Sequence, residues 1–329
     1  MDSFNCSPAA DRSQSNTVWL DEAALLYRLP SSGIDRGAIA TMLSHEHLAV
    51  SARNRDQARA DAPPACLPDQ LSTQTLQRRF ELYAQTNPGV PAIKSGPTIL
   101  TYGELDAQAD AIAVKLQQRG FGPECICVID MQPSINMVRA MLGALKAGGA
   151  FSFEGPAPHG PRDHVMGCDD ACDDLPFAWP DEYPTHETSP ACRISAPQPS
   201  GDRGTVYLSH MALMERLVSM QCLCPIGQGD AVLQNRHGTY NNLAWEIMWP
   251  LSQGAKLVLP SEQEISDAGS MRALIKREHV SVMHADTCAL HLLANASDTS
   301  QLRSLRGLFC ICTTLGTTMR ASETTAAFE

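Results

Sequence analysis

Between residues 91 and 153 the chain alternates short apolar runs with longer amphipathic ones, and that alternation leaves few folds open. Ala92–Lys94 and Ile99–Tyr102 read as two short strands around Ser95-Gly96-Pro97. From Glu104 to Arg119, residues Leu105, Ala109, Ile112, Ala113 and Leu116 recur at a helical period, and Gly120 stands where a helix would stop. Cys125–Asp130 reads as a buried strand, Ser134–Lys146 as a helix ended by Gly148-Gly149, and Ala150–Phe153 as the start of another strand. Strand, helix, strand, helix, strand predicts an α/β fold in which parallel sheets carry flanking helices.

The pattern weakens over residues 154–200, which are rich in Pro, Asp and Cys, and then resumes. A helix is expected near Leu213, a strand over Ala231–Gln234, a helix over Trp245–Leu251 and a strand over Ala255–Leu259. Ser270–Glu278 and Thr287–Ala294 read as helices, Val280–Met283 and Leu308–Cys312 as strands. No internal repeat is present. Residues 1–67 differ in texture: the segment is polar and holds one helical-looking piece, Trp19–Tyr27 (WLDEAALLY), before Pro63 and Pro64 interrupt any helix. The division expected is therefore a poorly ordered extension over 1–67 and a folded domain over 68–329.

Charge and composition exclude several classes. The formal net charge is -11 and no basic run occurs, which argues against a nucleic-acid-binding face. No apolar run approaches the ~20 residues needed to span a bilayer. The polar start MDSFNCSPAADRSQSN lacks the apolar centre of a secretory signal, so neither a membrane partner nor export is expected, and the location expected is cytoplasmic. The 12 cysteines include three Cys-x-Cys pairs but no Cys-x-x-Cys pair, so buried thiols are expected in place of a structural metal site.

Four blocks in order carry a family resemblance: LTYGELDAQADAIAVKLQQRG (100–120), MLGALKAGGAF (141–151), YNNLAWEIMWPLSQGAKLVLP (240–260) and HVSVMHADTCALHLLANASDTSQLRSLRGLFC (279–310). Together they resemble core blocks of the adenylation, or AMP-binding, domains of nonribosomal peptide synthetases. The resemblance covers roughly residues 71–315. It implies the N-terminal part of an adenylate-forming domain, associated with secondary-metabolite biosynthesis. The implied ancestral chemistry is ATP-dependent, Mg²⁺-assisted activation of an amino or other carboxylic acid. The implied partner is a synthetase or carrier protein.

Departures from the family pattern matter as much. The family's phosphate loop is rich in Ser, Thr and Gly and ends in Pro-Lys-Gly. The matching stretch here is APQPSGDRGTVYLSH, in which Ser200, Gly201, Arg203 and Gly204 are the candidate remnants. Pro197 and Pro199 bring no N–H, Asp202 brings a negative charge, and Arg203 is no equivalent of the lost Lys. Asn241 stands where the family's Asp pairs with the substrate ammonium. It reads as the mark of a non-amino acid substrate, of a drifted pocket, or of a plain polar residue. Trp245 matches a pocket-lining position, or is core. The family's magnesium-binding Glu, ribose-binding Asp and adenylate-stabilising Lys have no counterpart in the sequence, so no catalytic or metal-binding residue is assigned. The isolated chain is expected not to form acyl-adenylates, and the rival reading is a non-catalytic accessory or vestigial protein. A strand near Leu308–Cys312 is also expected to leave an unpaired apolar edge.

Overall fold

The computed structural model describes residues 17–21, 24–28, 75–153, 163–166, 185–197, 203–234, 240–285, 289, 293 and 300–311. Eight strands make one sheet: β1 (Thr17–Asp21), β2 (Ala24–Arg28), β3 (Pro91–Ser95), β4 (Thr98–Thr101), β10 (Ala231–Leu233), β11 (Lys256–Leu259), β12 (Val282–Ala285) and β13 (Gly307–Ile311). Their order is β1-β2-β13-β12-β10-β11-β3-β4. The second sheet has the order β7-β5-β6-β8-β9, from β5 (Ile126–Ile129), β6 (Ala150–Ser152), β7 (Asp163–Met166), β8 (Pro190–Pro197) and β9 (Arg203–Ser209). The run β13-β12-β10-β11-β3 is parallel, as is β7-β5-β6-β8, and antiparallel pairs occur only at the margins.

The helices are α1 (Leu76–Thr86), α2 (Tyr102–Gln118), α3 (Ile135–Lys146), α4 (His210–Leu223), α5 (Tyr240–Gln253), α6 (Glu262–Ile265) and α7 (Ala268–Glu278). A single apolar cluster joins α1 to α5 with one face of each sheet: Ile93, Val232, Leu257, Val282 and Phe309 from the first, Cys127, Phe151 and Cys192 from the second. The helical layer therefore lies between the sheets. The opposite face of the larger sheet (Ala231, Leu233, Val258, Met283, Leu308) packs on Met271, Leu274 and Ile275 of α7. Successive strand residues alternate between these two clusters, as the period of two requires.

Two of the blocks that carried the resemblance, 100–120 and 141–151, hold helix boundaries. Thr101 and Glu104 form a capping box at the start of α2: the Thr101 hydroxyl accepts from the Glu104 N–H at 3.3 Å, and the Glu104 carboxylate accepts from the Thr101 N–H at 2.8 Å. At its other end the Gly120 and Phe121 amides donate to Gln117 and Leu116, with Gly120 at φ +81°. The same double closure ends α3, where Gly148 and Gly149 donate to Leu145 and Ala144. Gly148 is there for its φ of +88°, whereas Gly149 is there for space. A Cβ on Gly149 would stand 2.4 Å from the Phe121 ring and 2.9 Å from the Cys125 carbonyl. Gly149→Ala is expected to cost about 1–3 kcal/mol by overpacking, read as a lowered midpoint in thermal denaturation.

Two sequence expectations change. Trp19–Tyr27 is an antiparallel hairpin, with Val18 opposite Leu26 and Trp19 opposite Leu25, and not a helix. The β13 edge is not open, because Gly307–Ile311 pairs with Arg28–Ala24 of β2. Smaller differences follow from context. Helix α5 begins at Tyr240, earlier than the apolar run suggests, and runs through Pro250. Cys222 and Cys224 sit at the end of α4, one exposed and one buried, so only one of this pair is the buried thiol expected. Of the helix expected over Thr287–Ala294, only Ala289 and Leu293 are among the described residues, and both are helical. Among those residues no helix is long and apolar enough to cross a membrane.

Candidate functional site

Ligands of open α/β sheets gather outside the carboxyl ends of the parallel strands. At that end of β10 and β12 the residues facing the helical layer become polar. Val232 is followed two positions later by Gln234, and Val282 by His284. Helix α5 crosses above them with Glu246 and Trp249 on its inward side. Glu246 is 0% exposed and its carboxylate accepts from the Gln234 amide at 3.4 Å. The His284 ring lies 6.2 Å from that of Trp249 and 5.3 Å from that of Phe309, while Trp249 and Phe309 meet edge-on at 5.0 Å. The Trp249 indole N–H donates to Gln221 of α4 at 3.0 Å, fixing the back of the cluster.

His284 is the unusual member. It is 2% exposed, yet neither ring nitrogen has a hydrogen-bond partner among the described residues. A buried imidazole left without partners is costly, and such groups concentrate where a ligand or water completes them. Burial, and secondarily the charge of Arg216, push its pKa down to about 3, so it is neutral at physiological pH. Arg216 lies on α4 with its guanidinium 5.3 Å from the centre of the Trp245 ring, within cation–π range. The candidate site thus combines a neutral imidazole, a carboxylate–amide pair, and an Arg–Trp stack. No group of three or more His, Cys, Asp or Glu side chains suited to a metal ion occurs among the described residues.

The sequence-derived candidates distribute unevenly over this geometry. Trp245 is half-buried and packs against the central cluster while stacking with Arg216, so it joins core and candidate site. Asn241 falls in the first turn of α5, four residues before Trp245 and hence on the same helical face. Its side chain lies outside the described residues. Ser200 and Gly201 also lie outside them. Arg203 and Gly204, read as part of a phosphate loop, are the first residues of β9, where they pair with Pro197 and Ala196 of β8. The connection between the two strands is therefore confined to residues 198–202. His210, which matches the family histidine after that loop, is wholly buried at the start of α4, and its Nδ1 accepts from the Leu76 N–H at 3.3 Å. It ties α4 to the first turn of α1. Gln234, Glu246, His284 and Arg216 were missed; for Gln234 and His284 the available signal was a polar residue closing an apolar run, and Glu246 and Arg216, inside helices, carried none.

Known proteins share the sequence pattern and the fold. Residues 80–162 match the family of AMP-binding enzymes. Over 268 residues the chain is 26% identical to tyrocidine synthase 3 of Brevibacillus parabrevis, covering 74% of this chain and 4% of that one. Over 267 residues it is 26% identical to zwittermicin A synthase ZmaJ of Bacillus cereus, covering 71% and 50%. This chain is similar to the N-terminal part of a nonribosomal peptide synthetase adenylation domain. The fold of such domains is shared. The AMPPNP-bound form of the nonribosomal peptide synthetase FmoA3 superposes with a TM-score of 0.59 at 20% identity, covering 74% of this chain and 29% of that one. The Klebsiella oxytoca NpsA N-terminal subdomain in complex with 3-hydroxybenzoyl-AMSN does so with a TM-score of 0.55 at 18% identity, covering 65% and 60%. The adenylation-type chain thus spans half or less of the length of these two curated relatives.

The stretch read from the sequence as a phosphate loop is the β8–β9 connection, Gln-Pro-Ser-Gly-Asp, which contains one hydroxyl, one proline without an N–H and one carboxylate, and which lies outside the described residues.

Proposed function

We propose that this adenylation-type protein serves secondary-metabolite biosynthesis by holding a carboxylic acid at the carboxyl ends of β10 and β12, without itself turning over ATP. The observation that carries the acid site is the buried polar set of Gln234, Glu246 and His284 beside the Trp245–Arg216 stack. The acid is one without an α-ammonium group, because Asn241 offers no negative charge at the position where the family's Asp pairs with that group. Desolvating an ammonium without a charge partner costs several kcal/mol, on the order of the cost of a broken buried pair. The NpsA subdomain, solved in complex with 3-hydroxybenzoyl-AMSN, supports an aryl acid as the class to try first. The ancestral reaction joins a carboxylate to the α-phosphate of ATP and releases pyrophosphate, with Mg²⁺ assisting, before the acyl group passes to a carrier protein. The β8–β9 connection argues against this chain carrying the first step alone.

Two measurements test the proposal. Calorimetry with hydroxybenzoates and with matched amino acids is expected to show binding of the former and a loss of at least tenfold for the latter. ATP–pyrophosphate exchange by the 329-residue chain is expected at background, since loss of one strong electrostatic contact already costs about 10²- to 10³-fold. Preference for amino acids would refute the acid class. Robust exchange would refute the non-catalytic reading.

A further inference from the structure

The two ends of the eight-stranded sheet are closed in different ways. At one end β4 is supplied by the adjoining hairpin with β3, a local contact. At the other, β2 arrives from the amino-terminal extension and pairs with β13, although Arg28 and Gly307 are about 280 residues apart in the chain. Pairing over such a distance is entropically expensive and persists only where the acceptor edge gives much in return. The acceptor here is a deeply buried strand. Leu308 and Phe309 are 0% and 2% exposed, and they feed the two clusters on opposite faces of the sheet. The strand laid against them is as apolar as they are: Leu25, Leu26 and Tyr27 stand opposite Cys310, Phe309 and Leu308. A two-stranded hairpin has little stability alone, so β1 and β2 owe their order to this edge.

We propose that residues 17–28 are a strand-donating clasp, and that the β13 edge is an acceptor site for an antiparallel apolar strand which the chain fills with its own hairpin. Two consequences follow. The clasp blocks association through β13, the surface through which sheets recruit foreign strands or second copies. It also pairs with the backbone at Phe309, whose ring packs on His284 and Trp249. This second consequence alone rests on the acid site proposed above.

Hydrogen exchange on the full chain tests the clasp without reference to any acid. In an inner strand, consecutive amides point to alternate neighbours. Leu25→Pro with Leu26→Pro therefore removes one donor toward β13 whichever residue supplies it. Exchange at residues 307–311 is expected to accelerate roughly tenfold or more, matching loss of a hydrogen bond worth about 1.4 kcal/mol, with 126–152 unchanged. The variant is expected to elute as larger species than the unaltered protein. A synthetic peptide of residues 15–30, added in excess, is expected to restore both protection and the elution of the unaltered protein. Unchanged exchange at 307–311 in the variant, or no rescue by the peptide, would overturn the proposal. If the double variant does not fold, the unaltered protein decides: matched protection of 24–28 and 307–311 supports the clasp, and free-peptide exchange at either segment refutes it.

Discussion

Lys146→Met is expected to remove about 3–5 kcal/mol of stability, the usual consequence of leaving buried charges without their partner. The ammonium is 3% exposed and serves Asp106 at 2.6 Å, Glu81 at 3.5 Å and Asp110 in close contact, thereby joining α1, α2 and α3. Carboxylates outnumber the cation, and burial raises the pKa of both Glu81 and Asp110 despite the lysine, whose own pKa is raised by their charges over the opposing effect of burial. Removing the lysine pushes those two carboxyls higher still. A carboxyl with a raised folded pKa binds protons more readily in the folded than in the unfolded state, so the variant gains stability as pH falls. Urea denaturation is therefore expected to show the deficit at pH 7 and a smaller one near pH 5. Adding Glu81→Gln and Asp110→Asn to the variant should recover much of the loss. An equal deficit at both pH values would show that the lysine acts by packing alone.

Acid is expected to unfold the protein earlier than carboxylate protonation alone would require. His210 and His284 are buried neutral, with pKa values lowered from 6.5 to about 4 and about 3. For His210 burial is the cause. For His284 burial is reinforced by Arg216, with Glu246 the acidic group of the same cluster. Below pH 6.5 the unfolded chain takes up protons at these positions and the folded chain does not, so stability falls with pH. The loss begins at 6.5 and levels off only below each folded pKa. Its full extent is about 3 kcal/mol for His210 and on the order of 5 kcal/mol for His284, at about 1.4 kcal/mol per pH unit each. Against a total of about 5–15 kcal/mol for a domain, that is a large share. Denaturation followed by circular dichroism from pH 7 to 4 should show the steep fall, and His284→Leu should flatten it. A variant with an unaltered slope would remove His284 from the account.

Much of the fold was legible because the signals that specify it are local. A capping box spans Thr101 to Glu104, the helix ends at Gly120 and Gly148-Gly149 complete their hydrogen bonds within a few residues, and the apolar face of α2 repeats every turn. None of these depends on a distant part of the chain. The same locality explains why family blocks could be recognised at all, since LTYGEL and LKAGGA are a helix start and a helix end. It also explains why they say little about chemistry. At the candidate site, Trp245 and the position of Asn241 were legible from their block. His284, Gln234 and Arg216 were not, because each is an ordinary residue until β12, β10 and α4 bring it beside α5.

The segment WLDEAALLY marks the boundary most clearly. Its apolar residues fit a helical period, and equally fit two short strands around a turn. No local term separates the two. The β13 edge decided between them, since Leu308 and Phe309 are buried on both faces and their strand offers a row of backbone groups that only another strand can satisfy. The sequence by itself determined the α/β alternation, the helix ends and the family resemblance. Only the tertiary structure decided the clasp, the Lys146 network and the buried histidines, because pairing, burial and charge compensation depend on which distant residues meet, and chain order does not encode that meeting locally.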